Sequence, residues 1–592
     1  MCAGTLLRYD FNRPGQWPGV ATKSAGTVDL QASKEASGAA VMTVERGEPA
    51  VLTSGLLAVN ARETNLGKLT LSFDHSISVN QPITLRVESF DAAKARSGGL
   101  ETTLYPATAN FFQRAAIELS AMKPVGHGAF APTDPFVQIS FTFSGPAELR
   151  IDNLAYASPA FYVSPRGRDI NDGRTEESAF ASPQKAIDVA QPGDVILLMN
   201  GRYERPTGKP AGTPVANFSR PGTPAAWITL KNYPGHAPVL SSHGQVAVNI
   251  QQTVGAPILA YLEIRGLHIL GNGETAREQY AGELGTTSPN VNSPGIFVNG
   301  RATPPGGKRT ANDLVHHIRI AGNVAEYCTS DGIFVRYCDW VTVLDNHVRN
   351  NCWTTVNGAP AGLTLMGHAN FDAQENVPKI LVAGNQASGN RLYVKNSPDD
   401  QPVKTKFYNG NGILLDSNAE FPPGGYLGRT LVQNNLAFNN GGCGLQMWGS
   451  HRLDVANNTI YHNGTTPEMK WGQVGFDRCK DVRFINNIVV AQPDRPLDTW
   501  LPTRADRNNA NIVRQNNLYW GGAKPPVAGE NDFVADPQFV NPTTDSVTAD
   551  FRLKPNSPAL KAGRQMSFAP LVDLAGARRP SAGAPDLGSF QH

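Results

Sequence analysis

The chain has 592 residues and carries 52 Lys and Arg against 50 Asp and Glu, a net charge of +2. That balance excludes a global field that would drive it onto nucleic acid or an anionic membrane surface, so any preference for an acidic ligand must come from local patches. Only 17% of residues are charged while Gly (58) and Pro (44) are abundant, which suits short strands and many turns better than long helices. The length allows about two to four domains, or one elongated solenoid with attachments. The sequence has no apolar run of about 18 residues, so a transmembrane helix is not expected.

Residues Met1–Asp10 lack the charged and apolar stretches of a signal peptide. Two readings of the Met-Cys-Ala-Gly start stand side by side: a lipoprotein whose mature chain begins at Cys2, and an ordinary terminus. Residues 1–158 read as a β-sandwich. Stretches such as Leu69–Phe73, Ile83–Val87 and Val137–Phe143 alternate with the period of two expected of half-buried strands. The closing stretch Glu148–Tyr156 resembles the last strand of jelly-roll domains common in carbohydrate-active enzymes. That resemblance implies a carbohydrate-binding-like module; a structural cover is the plainer reading.

A second segment, 159–529, opens with Phe161–Asp169 and continues through Ala181–Ala190 to Gln191–Leu198. Ser182 is placed to N-cap a short helix with Pro183 in its first turn, Gly193 beyond its end, and Ala186, Ile187 and Ala190 as its apolar face. A solenoid needs such a cover, because stacking leaves the first coil's apolar end open. These words in this order resemble the opening of right-handed parallel β-helix proteins of bacterial polysaccharide metabolism.

An internal repeat carries the architecture. Asn323, Asn346, Asn385, Asn435, Asn458 and Asn487 are spaced by 23, 39, 50, 23 and 29 residues, a coil of about 23 lengthened by insertions. Three residues before each stand Ile320, Val343, Val382, Val432, Val455 and Phe484; two after stand Ala325, Val348, Ala387, Ala437, Ile460 and Val489. Both columns are wholly apolar, as a shared core demands. The asparagines read as a turn ladder bonding coil to coil rather than as a catalytic set.

A second strand recurs in each coil, opened by Gly295, Gly332, Gly362, Gly412 and Gly444. The first and third residues after the glycine face the core, and the second and fourth face out. The outward fourth column is then Asn299, Arg336, Met366, Asp416 and Trp448; the second column includes Phe334 and Gln446. Asp416 should neighbour Trp448, with Arg336 about 10 Å away on the other side. A cation, a carboxylate and an indole at this spacing suit a polysaccharide groove, since sugars present C–H faces to rings and polar groups to charges. Ordinary solvated surface is the alternative for each charge alone.

Insertions at 347–378 and 390–428 lengthen the coils beside that face, where long loops on a rigid scaffold concentrate function. The second carries Arg391, Lys395, Lys404 and Lys406 against Asp399 and Asp400. His368 follows Met366, and Tyr408 precedes the stretch Asn409–Asn418. That stretch resembles an element of bacterial β-helix proteins grouped with polysaccharide lyases and related depolymerases. There the element begins with Asp-Gly and ends in two acidic residues; Asn409 and Ser417 depart from it, which weakens the case for a bound calcium ion.

The cysteines Cys328, Cys338, Cys352, Cys443 and Cys479 form no CxxC pair, so zinc is not expected, and no disulfide should join Cys338 to Cys479. Residues 530–592 resemble the closing segment of such β-helix proteins and read as a cap. The expected protein is thus an all-β, extracellular, periplasmic or surface-attached polysaccharide-degrading enzyme. The leading reaction is β-elimination on a uronic-acid polymer. Arg336 would neutralise the carboxylate, His368, Lys404 or Lys406 would be base, and Tyr408 acid, with Asp416 in the same face. Phe334, Trp448, Gln446, Asn299 and Arg391 would bind substrate. Hydrolysis needs a second carboxyl group, for which Glu420, Asp331 and Asp477 are candidates. A non-catalytic glycan binder is the third reading and an epimerase a minor one.

Overall fold

The computed structural model describes the strands Thr5–Tyr9, Ala21–Thr22 and Ala40–Val44, then residues 49–59, 63–205, 208–280, 292–300, 314–354, 359–396, 406–419, 425–469, 471–497, 509–522 and 529–592. The N-terminal part is an antiparallel sandwich of a five-stranded and a seven-stranded sheet. Strand Ile83–Phe90 alternates buried and half-buried residues along its whole length. Its inward Leu85 and Val87 join Phe73, Ile139 and Phe141 in one core, the period-two pattern made physical. The last sandwich strand ends at Ala157, and Phe161 begins the first parallel strand.

From there three parallel sheets run side by side, and each coil contributes one strand to each in turn. Coil Ile333–Arg336, Cys338–Leu344, His347–Arg349 shows the order; we call the sheets receiving these strands sheets 1, 2 and 3. Among the described residues they hold eight, eleven and eleven strands. The chain is a parallel β-helix, coiling in the right-handed sense that parallel connections take. Helix Pro183–Val189 closes its first coil. The Ser182 hydroxyl accepts from Lys185 N at 3.2 Å, and Ala186 and Ile187 are buried against Phe161 and Val163.

The asparagine ladder lies at the turn from sheet 2 to sheet 3, fully buried. Each amide donates to the next, as from Asn323 to Asn346 and from Asn346 to Asn385, both at 3.0 Å, and the ladder runs on to Asn517 and Asp532. Both apolar columns face the single core. A second ladder, not anticipated, sits five residues further on at Asn351, Asn390, Asn440 and Asn463. It explains the glycines that open the sheet 1 strands. A Cβ at Gly332, Gly362, Gly412 or Gly444 would lie 2.4–2.8 Å from the amide nitrogen of one of these asparagines. All five expected internal cysteines are buried and free, Cys338 and Cys479 included.

The outer faces of the sheets are treated differently. Sheet 2 is covered by the sandwich and by the chain end. Phe111 and Phe568 pack with Leu381, Leu431 and Ile485, and Lys231 reaches Glu118 at 2.8 Å. Sheet 3 is covered by the C-terminal segment, where Phe539, Phe551 and Leu553 pack on Phe438, Tyr461 and Val490. That segment therefore supplies one more sheet 3 strand, Phe533–Val534, and then runs along the side of the solenoid instead of only closing its end. Among the described residues, the apolar clusters over sheets 2 and 3 have no counterpart over sheet 1.

Candidate functional site

Sheet 1 carries its outward fourth column in the register expected: Gln251, Asn299, Arg336, Met366, Asp416 and Trp448 are cross-strand partners in that order. The column continues one strand further to Asp477. Arg336 lies two rungs from Asp416, and Asp477 lies two rungs from it on the other side, with Trp448 between the two carboxylates.

The side chains of this column have distinct settings. The Arg336 guanidinium stacks 5.0 Å from the Phe297 ring and 5.3 Å from Phe334, so Phe334 holds the cation. Ser417 Oγ donates to Asp416 Oδ1 at 2.6 Å, which fixes the carboxylate's rotamer. Arg478 lies 5.0 Å over the Trp448 ring. Tyr408, half-buried and edge-on to Trp471 at 5.1 Å, stands against this group. Burial first, then the charges of Asp477 and Asp416, push its hydroxyl above the ordinary tyrosine range. It stays protonated at neutral pH, and its hydroxyl keeps a proton to donate.

Other expected residues lie elsewhere. His368 is 2% exposed, because Gly367 (φ +59°) turns the chain inward after the strand; it packs 5.6 Å from Tyr426, and burial lowers its pKa to about 4. It does not overhang the groove. Gln446 is also buried, accepting from Asn411 Nδ2 at 2.6 Å, at the start of the neighbouring strand Asn411–Asp416. Asn299 is only 5% exposed. Arg391 stays at the edge where chain enters from sheet 3, its guanidinium 5.6 Å from Tyr393 and its stem against Gly441. Lys406 is exposed beside Tyr408. Lys404, like Glu420, lies outside the described residues. Asp331 is buried and accepts from Ala361 N at 3.0 Å and from Thr364, a strand-fastening role away from the column.

Asp477, Arg478 and Trp471 complete the site; the sequence offers Asp477 as a candidate second carboxyl group without putting it in the column, and does not single out Arg478 or Trp471. The marker for each sheet 1 strand was its opening glycine, and here Gln473 stands in that position. Gln473 ends the second ladder, accepting from Asn463 N at 2.6 Å and donating to Asn463 O at 3.0 Å. The rule that found five of the eight described strands therefore missed this last one.

The departures at Asn409 and Ser417 have consequences for metal binding. Asn409 Oδ1 accepts from Asn411 at 3.1 Å, and the Ser417 hydroxyl occupies one Asp416 oxygen. Among the described residues no group of three His, Cys, Asp or Glu is placed to hold a metal ion. These residues do not fit calcium, which wants six to eight oxygens, several of them carboxylate.

No family model matches the chain. An uncharacterized Bacillus subtilis protein, YwoF, is 25% identical over 466 residues, spanning 67% of this chain and 91% of its own. Among solved structures, the pectate lyase Pel9A is similar over 73% of this chain and 96% of that one, at 16% identity and a TM-score of 0.41. A rhamnogalacturonan lyase is similar over 73% and 97%, at 13% identity and a TM-score of 0.33.

Proposed function

We propose that this chain is a polysaccharide-cleaving enzyme whose substrate lies along the outer face of sheet 1, with the glycosidic bond broken between Asp416 and Asp477. The observation that carries this reading is their shared column on either side of Trp448, with Tyr408 against both. The sugar ring stacks on the indole while the two carboxyl groups flank the bond. Two rungs separate their backbones by about 9.6 Å, close to the span of about 6.5–9.5 Å between carboxyl groups used in inverting hydrolysis. One carboxyl group protonates the leaving oxygen and the other draws a proton from the attacking water. Tyr408 supplies a further donor to the departing oxygen.

Elimination is the second reading, favoured by the cations. Arg336 and Arg478 bracket the column and suit a uronic acid carboxylate, Lys406 is the remaining described candidate for the base, and Tyr408 is held as an acid. The sandwich is proposed as a carbohydrate-binding-like module and the protein as acting outside the cytoplasm. No described helix is long and apolar enough to cross a membrane.

The test is a panel of acidic and neutral polysaccharides incubated with the protein, read for reducing ends and for the ultraviolet absorbance of an unsaturated product. Reducing ends alone support hydrolysis, and both signals together support elimination. Neither signal across the panel defeats the enzyme reading and leaves a glycan binder.

A further inference from the structure

A recess opens at the far N-terminal end of sheet 1, remote from the acidic pair. It is bounded by strands Ala216–Phe218 and Val248–Gln251 and by the turn after them. Among the described residues its polar lining consists of Asn217, Ser219, Asn249, Gln251 and Thr253, with no charged side chain. The turn is rigidly built: Gln252, 3% exposed, donates to the carbonyls of Thr253, Ala256 and Pro257 and accepts from Leu259 N at 2.9 Å. The inner wall is held as well, by Gln184 of the capping helix, which bonds both backbone groups of Asn217.

Within the recess the amides are oriented. Asn249 Nδ2 donates to Asn217 Oδ1 at 2.7 Å. That bond leaves Asn217 Nδ2 as a donor and Asn249 Oδ1 as an acceptor, side by side on the surface. With the Gln251 amide and the Ser219 and Thr253 hydroxyls they form a set of uncharged donors and acceptors. Such a set matches vicinal hydroxyl groups and offers a carboxylate or a phosphate no countercharge. Between the recess and the acidic pair lies the ledge of Phe297 and Phe334, ring centroids 5.4 Å apart, on the same sheet face.

We infer that this recess is a second glycan-binding site, which takes uncharged sugar residues of the chain that is cut further along sheet 1. It rests on the reading that sheet 1 carries the substrate. Asn249 and Gln251 stand four rungs from Asp416, about 19 Å. The enzyme then grips a neutral stretch several residues from the bond it breaks, favouring long chains over short ones.

The experiment titrates the intact protein calorimetrically with neutral trisaccharides of β-linked glucose, mannose, xylose and galactose, too short to bridge the two regions. At least one should bind with a Kd below about 5 mM, the range of a single weak site. Gln251→Ala, at an exposed position, and Asn249→Leu should each weaken that binding about tenfold or more, whereas Asp416→Asn should not alter it. No heat from any trisaccharide, or binding untouched by both recess variants, overturns the inference. Failure of the enzyme reading shows separately, as a parent protein that binds trisaccharides and cleaves no polysaccharide.

Discussion

Sheets 1 and 2 are built from the same repeat, yet their outward carboxylates have different neighbours. On sheet 2, Asp454 is fully buried and stands beside Arg483 on the adjacent rung. It also bonds the Arg429 guanidinium at 2.8 and 2.9 Å, while Glu263 stands beside Arg319. These charges are spent on holding rungs together beneath the sandwich and the C-terminal segment. On sheet 1, Asp416 and Asp477 each have an indole as their in-register neighbour and remain half-exposed. Asp454 and Glu263 stand next to arginines under a cover, whereas Asp416 and Asp477 stand across a tryptophan on a face with no apolar cover among the described residues, which supports the ligand-facing role proposed for them. The contrast teaches that burial and partner, rather than residue type, separate structural acids from candidate catalytic ones.

The largest effect should come from the core behind both sheets. Val432→Asp places an unpaired carboxylate between stacked coils at a cost of several kcal/mol. Thermal unfolding should drop steeply; an unchanged melting temperature would remove Val432 from the core. Next comes the structural acid: Asp454→Ala removes the buried partner of Arg429 and Arg483 and should cost about 1–3 kcal/mol, since Arg429 keeps Asp481 and Arg483 is partly exposed. Asp416→Asn belongs to the other class. Turnover should fall about 10²-fold or more while stability moves by less than about 0.5 kcal/mol. Equal loss of stability in the two Asp variants would erase the contrast between the sheets.

Trp448→Ala should weaken substrate binding by about 1–3 kcal/mol, if loss of sugar stacking resembles loss of base stacking. Binding to an inactive Asp416→Asn background checks it. The smallest effect concerns His368. Its folded pKa of about 4 lies below its unfolded value of 6.5, so its contribution to stability is full above pH 6.5 and is lost as pH falls toward 4. His368→Gln should flatten the fall in urea midpoint over that window and leave the pH profile of cleavage unchanged. A shifted activity profile would return His368 to the groove.

The fold was legible because its signals are periodic. The columns headed by Val432 and Ala437, and the ladder through Asn346, repeat at fixed offsets from one asparagine. The outward column was legible for the same reason, since alternation from Gly412 places Asp416 once the strand is known. What the sequence hid is contact without period. Nothing local tells that Gly367 sends His368 inward, or that Asn411 of the neighbouring strand will bond the buried Gln446. Asp477 was a candidate acid without a place in the column, because Gln473 stands where the marker glycine would be. The cover over sheets 2 and 3 depends on residues such as Phe111 and Phe568, which lie far away in the chain.

Cleavage between Asp416 and Asp477 is tested most directly at Asp477, which the marker glycine does not place in the column. The measurement is the release of reducing ends by Asp477→Asn from a polysaccharide that the parent protein cleaves, taken alongside its melting temperature. A loss of about 10²-fold or more with an unmoved melting temperature is the predicted result. Activity within about twofold of the parent, below the loss expected for a catalytic proton-transfer group, would contradict cleavage between Asp416 and Asp477.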